Sequence, residues 1–349
     1  MRTAARAKLM ALLLLAGFSA PARAQVTVLD QAQDGVGQII AQEAGKADAP
    51  SGPCGQKTIS IASMAWPSAQ LLAEIHARLL KSQFGCAVQV APGDLASTAS
   101  SMGSSGQPAV APEMWPTRIA DSWNSGVAAQ MLRPAAPTYA ENQFEGWFIA
   151  GATALAHPDL DSAAGLAAAL PGLNGGRKVR FISCPADWAC AVINRHLLAA
   201  HGLDKLVEVI EPANRFEMDS LIAEAVSRKE VALFYYWQPN AVVAQLGLVA
   251  LDMGAYDGEA AKCLAQKICA TPRPSAFPPE LVTVALSEWV FTDIPAIAGY
   301  FQRSSLSLAE MNRLLSELNQ ADSSLADVAD GFVAERGDIW RRWVGTASP

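Results

Sequence analysis

The chain has 349 residues, of which 51% are hydrophobic, and carries 26 Lys+Arg against 33 Asp+Glu for a formal net charge of −7. That acidity argues against nucleic acid as a partner, because such binding needs basic surface to displace counterions. The length is ample for two domains with real cores.

Residues 1–24 read as a signal peptide. Arg2, Arg6 and Lys8 precede an apolar run from Leu9 to Ala20, and Ala22-Arg23-Ala24 supplies a small-x-small cleavage site. The run is short for a membrane span, and no Cys stands at the cleavage site to carry a lipid anchor. The mature protein is therefore expected in the periplasm or outside the cell. Losing the four basic residues of this segment lowers Lys+Arg from 26 to 22 against 33 acids, a net charge of −11. Residues 25–56, rich in Ala, Gln, Gly and Asp, form a leader, and the fold begins at Lys57.

Thr58 to Ser63 alternates as a strand. Pro67-Ser68 opens a helix whose apolar stripe is Leu71, Leu72, Ile75, Leu79 and Leu80, and Gly85 closes it. Ala87 to Val90 is the next strand. The Ser/Gly/Ala stretch from Ser97 to Gly106 suits either a loop or a weak helix carrying Leu95, Ala99 and Met102. Val110 starts a strand that ends at Trp115-Pro116. Strands then follow at 179–182, 207–210, 231–236 and 248–251, with helices at 191–201 and 217–228 and a short one after 236. A last strand spans 281–286, and the chain is helical from there to Trp343.

Such alternation predicts an α/β fold with mainly parallel sheets flanked by helices. Changes of character near 146–154 and 276–284 divide the chain into two lobes. Lobe one is expected at 57–149 plus 283–349 and lobe two at 150–282, with a ligand cleft between them.

The cysteines are Cys54, Cys86, Cys184, Cys190, Cys263 and Cys269. An even count in an exported chain points to disulfides. Short spacing pairs Cys184 with Cys190 and Cys263 with Cys269, leaving Cys54 for Cys86. No metal site is expected, since the histidines form no ligand pattern with the cysteines.

Catalytic patterns are missing: there is no phosphate-binding Gly-rich loop, nucleophile elbow or H-E-x-x-H. No enzyme activity and no cofactor are therefore expected. Tryptophan is more informative. Trp340 and Trp343, three apart on the last helix, read as packing residues, as do Trp123 and Trp289. Trp66, Trp115, Trp188 and Trp237 instead each follow a strand where the chain turns, three of them at or next to a proline that keeps the backbone out of helix. Ligands of open α/β sheets bind at the carboxyl ends of strands. Indoles gathered there suit a quaternary ammonium, which donates no hydrogen bond but is drawn to π-faces by ~1–2 kcal/mol per desolvated ring.

Cys184-Pro185-Ala186-Asp187-Trp188-Ala189-Cys190 is similar to a C-x-P-G-W-G-C segment of periplasmic glycine-betaine binding proteins. These serve ABC importers of compatible solutes, with relatives for choline and other betaines. Phe234-Tyr235-Tyr236-Trp237-Gln238-Pro239 resembles that family's F-Y-Y-x-W-x-P run. Pro112-Glu113-Met114-Trp115-Pro116 resembles its Trp-ended strand, and Glu145-Gly146-Trp147-Phe148-Ile149 its crossing into the second lobe. Order and spacing agree from about Lys57 to Trp340–Trp343.

The resemblance implies a two-lobed periplasmic binding protein fold of the type II kind and the solute-binding subunit of an ABC importer. It places the cage on Trp115, Trp188 and Trp237, and a ligand carboxylate at the backbone of Ala189 and Cys190. The implied partners are a quaternary-ammonium ligand and an inner-membrane ABC permease, with the chain itself a monomer. Asp187 and Ala189 stand where the family has Gly. Asp187 is read as a helix N-cap, or as an acid facing the cage that favours choline, and Glu113 raises the same question. Trp66 and Trp147 are read as further walls or as packing residues. The rival readings are a periplasmic enzyme acting on a small cationic or aromatic molecule and a binding domain that feeds a sensor.

Overall fold

The computed structural model describes residues 52–345. The expected signal peptide and the leader up to residue 51 lie outside the described residues. The described strands form two sheets. The first contains β1 (Ile59–Met64), β2 (Val88–Gly93), β3 (Val110–Met114), β4 (Leu132–Pro137) and, from the far end of the chain, β10 (Thr283–Ser287). The second contains β5 (Glu145–Ala150), β6 (Val179–Ile182), β7 (Val207–Ile210), β8 (Ala232–Trp237) and β9 (Leu248–Ala250).

Their orders are β2-β1-β3-β10-β4 and β7-β6-β8-β5-β9, which is one topology used twice. The first three strands in each order pair in parallel, and the fourth runs against both its neighbours. That reversed strand, β10 or β5, is the one by which the chain arrives from the other sheet. Helices flank both sheets, as the alternation predicts. Because β5 pairs wholly within the second sheet, the first crossing precedes Glu145, and lobe one does not extend to residue 149.

Local chemistry explains the elements. Pro67 sits in the first turn of the helix Pro67–Phe84, where its missing N–H costs nothing, and Gly85 ends it in the left-handed region at φ 67°. The predicted stripe from Leu71 to Leu80 is buried. The ambiguous Ser/Gly stretch is a helix, Leu95–Ser105, because Asp94 caps the N–H groups of Ala96 and Ser97 at 3.1 and 3.0 Å. Its small residues have a packing role. A Cβ on Gly103 would lie 3.2 Å from the Cα of Gly126 on the facing helix Ala120–Ala128. The strand β4 escapes sequence reading because Pro134 and Pro137 lie within it. Prolines are tolerated there because β4 is an edge strand with β10 as its neighbour.

The first sheet is covered on both faces. Ile59, Ile61, Val110, Val284 and Leu286 join a large core with the C-terminal helices, including Trp340 and Trp343. Ala62, Met64, Ala111, Met114 and Ala285 join a smaller one that holds Trp123. The second sheet has its own core. All three expected disulfides are formed, Cys54–Cys86, Cys184–Cys190 and Cys263–Cys269. The segment after β8 is tied to the first lobe: Asn312, on the helix Leu308–Leu318, accepts from the Asn240 N–H and donates to the Gln238 side chain, both at 2.7 Å.

Candidate functional site

The doubled topology places the four turn tryptophans at corresponding points. Trp66 and Trp188 follow β1 and β6, the second strand of each sheet order, and Trp115 and Trp237 end β3 and β8, the third. All four line one cleft of about 970 Å³ to which both lobes contribute. Trp66 and Trp188 are also the N-cap residues of the helices that follow, with extended backbones (φ −116°, ψ 150° and φ −86°, ψ 147°) and no side-chain cap bond.

In the first lobe, one carboxylate organises the site. Glu113 is 1% exposed. Its Oε1 accepts the indole N–H of Trp66 at 2.9 Å and that of Trp115 at 3.2 Å, and its Oε2 accepts the Tyr139 hydroxyl at 2.9 Å. Burial pushes the Glu113 carboxyl above the usual carboxylate range, and these donated bonds oppose the push. Trp115 is further fixed by Phe144 at 5.1 Å between centroids and by the Arg118 guanidinium 4.2 Å from its ring centroid. Arg118 therefore occupies one face of that indole. A bidentate pair with Glu280, at 3.2 and 3.1 Å, holds Arg118 there.

The second lobe holds its indoles by ring contacts. Trp188 and Trp237 lie 5.7 Å apart at 58°, and Tyr236 stacks on Trp237 at 4.6 Å and 9°. Arg215 lies 5.3 Å from the centroid of Trp237. The Cys184–Cys190 bridge spans the turn that carries Trp188. Ala189 and Cys190, the first residues of the helix Ala189–Ala200, line the cleft. Their N–H groups lie at the positive end of the helix, a natural place for an anionic ligand group. Tyr235 donates to Glu145 at 2.7 Å, and burial pushes the Glu145 carboxyl up as well.

Two sequence candidates fall elsewhere. Trp147 is fully buried in the second core, donating to Asn194 at 2.9 Å with its ring edge-on to Phe181, so it packs and does not wall the cleft. Asp187 is exposed and outside the cleft lining. Nor does it cap the helix, since the N-cap position belongs to Trp188. Sequence reading missed Arg118, Arg215, Phe144, Phe277 and Glu280, all of which line the cleft. Arg118 lies one short turn beyond Trp115, which was the only signal available. Phe144, Phe277 and Glu280 are brought in by the chain crossings, and Arg215 by the start of the helix Arg215–Ser227 after β7.

Residues 57–335 match the family described as the substrate binding domain of ABC-type glycine betaine transport systems, and the chain belongs to that family. Among solved structures, it is similar to apo YehZ from Escherichia coli, with 16% identity and a TM-score of 0.58 over 80% of this chain and 99% of that one. It is also similar to a glycine betaine/carnitine/choline ABC transporter structure, with 12% identity and a TM-score of 0.55 over 81% and 99%. An ABC-transporter choline binding protein in complex with choline matches at 14% identity and a TM-score of 0.46, over 83% and 92%. No curated protein sequence matches significantly. Among the described residues, no helix is long and apolar enough to cross a membrane, and no cluster of His, Cys, Asp and Glu is arranged to hold a metal ion.

Proposed function

We propose that this chain captures a small quaternary-ammonium compound between its lobes and delivers it to an ABC permease in the inner membrane. The observation that carries this reading is the convergence of Trp66, Trp115, Trp188 and Trp237, from corresponding points of both lobes, on one cleft. Each desolvated ring that meets the ammonium adds ~1–2 kcal/mol, and burial of the methyl groups adds to this. Glycine betaine is the first choice because the cleft is polarised. The first lobe offers the Glu113 carboxylate beside two indoles, suited to the ammonium, and the second offers Arg215 and the N–H groups of Ala189 and Cys190, suited to a carboxylate. Choline is the competing ligand, favoured by the acids Glu113, Glu145 and Glu280 in the lining.

The three disulfides support export to the periplasm, where an oxidant is present. The chain is taken to act there as a monomer after loss of residues 1–24. Calorimetry against glycine betaine, choline and carnitine tests the reading, with mass spectrometry of the recovered ligand. Binding without chemical change is the expected result. Turnover would favour an enzyme, and failure to bind any of the three would sink the proposal. If a ligand binds, deleting the neighbouring permease genes should abolish its uptake; intact uptake would favour a sensor role.

A further inference from the structure

The position of Glu113 is unusual for a group in a cation pocket. It stands behind the aromatic wall and accepts from the edges of both first-lobe indoles, with Oε1 shared between them at 2.9 and 3.2 Å. An indole N–H only donates, and an ionised carboxylate only accepts, so the hub is satisfied with the carboxylate charged. An N–H held by a negative acceptor polarises its ring and deepens the negative potential over the π-face, on which a cation depends. Being nearly dry, the site weakens this charge little by screening. The other charged groups facing the cleft partly offset each other: Arg118 is paired with Glu280, Arg215 with Asp219, and Glu145 takes the Tyr235 hydroxyl.

Resting on the quaternary-ammonium reading above, we propose that Glu113 makes the cleft select formal positive charge over the shape of a trimethylated head. It acts through the two indoles whose N–H groups it accepts. Without that charge, the indole faces would still favour the cation through their own quadrupoles, but by less, since a tert-butyl group has the same shape and methyl surface as a trimethylammonium group. Gln at 113 is the informative change. Its carbonyl oxygen still accepts both indoles, and its amide faces Tyr139, whose hydroxyl can turn to accept. Geometry is kept while the charge is lost.

The test is calorimetry at about pH 8, well above the usual carboxylate range, with two ligand pairs that differ only in charge. Choline is compared with dimethylbutanol, its neutral carbon isostere, and glycine betaine with tert-butylacetate. In the wild type, the charged member of whichever pair binds should be favoured by about tenfold or more. Glu113→Gln should narrow that gap to roughly threefold, by weakening the ammonium ligand while leaving its carbon isostere almost unchanged. Equal weakening of both members would show a purely structural role and overturn the proposal, and so would an unchanged gap. A wild type that binds the isostere as tightly as the ammonium ligand overturns it without any variant, so the test survives a misfolded Glu113→Gln protein. If the wild type binds no quaternary ammonium, the reading above falls as well; if it binds and the variant keeps its gap, only the role of Glu113 falls.

Discussion

In the first lobe, Trp66 and Trp115 are held by their edges, through N–H groups that converge on Glu113. In the second, Trp188 and Trp237 are held by their faces, against each other and against Tyr236, beside a disulfide-bridged turn. The same two positions of one topology are thus furnished with different physics. Hydrogen bonds to a buried charge are directional and fix the indoles by their edges, although Arg118 covers one face of Trp115, so the first half of the cage is rigid and electrostatically biased. Stacking is apolar and adaptable, so the second half supplies area and a floor for the rest of the ligand.

That contrast can be broken or sharpened by experiment, beginning with the largest effect. Trp340→Ala, in the first-lobe core, should cost ~3 kcal/mol or more of stability in chemical denaturation and leave the affinity of the folded protein nearly intact. Trp115→Ala should do the reverse, weakening binding by roughly 2 kcal/mol because it removes a ring and one partner of Glu113. If Trp115→Ala binds as the wild type does, the first-lobe half of the cage is not used.

Acid should act on the first-lobe core. His76 is fully buried in the first-lobe core, with Nδ1 2.7 Å from the Tyr300 hydroxyl and Nε2 without a partner, and burial pushes its pKa down to about 3. The folded protein keeps it neutral, while the unfolded chain takes up a proton below about pH 6.5. Stability should therefore be intact above pH 6.5 and fall by roughly 1.4 kcal/mol per pH unit below it, down towards pH 3. Melting curves of His76→Gln should show a shallower acid limb than the wild type. An identical slope would place the acid sensitivity elsewhere.

The second-lobe bridge closes a loop of only a few residues, and Cys184→Ser plus Cys190→Ser opens it. The expected cost is ~2 kcal/mol, less than the ~3–4 kcal/mol for the longer Cys54–Cys86 loop. Ligand affinity should fall a few-fold for the Cys184/Cys190 variant alone, because that bridge carries the Trp188 turn. Equal affinity in both bridge variants would separate the disulfide from the site. Trp188→Ala and Trp237→Ala should each weaken binding about tenfold in dissociation constant, less than Trp115→Ala. Because the two rings touch, the double variant should lose less than the product of the single losses. Strict multiplicativity would mean that the rings act independently.

Much of the fold was legible from local chemistry. The helix Pro67–Phe84 has a proline start, a leucine stripe and a glycine stop, and the strand–helix alternation announces α/β layers without reference to any distant residue. The two local cysteine pairs follow from short spacing, and Cys54–Cys86 from elimination. The tryptophans of the cleft were also visible, because a strand end followed by a turn is a local event that the sequence marks with proline. What stayed hidden was everything that depends on which strands become neighbours. β4 does not read as a strand in sequence, because two prolines forbid a central strand and only its place at the sheet edge allows them. Trp147 reads in sequence as a further wall or as a packing residue, and only the place of β5 within the second sheet turns that indole into the core. The meaning of Glu113 was not readable from its own segment, since its partners Trp66 and Tyr139 come from other elements. Periodicity and turn chemistry depend on neighbours in the chain, so the sequence alone determined the layers, the bridges and the indoles at the strand ends. The convergence of three donors on one buried carboxylate depends on neighbours in space, and it was decided when the first sheet folded.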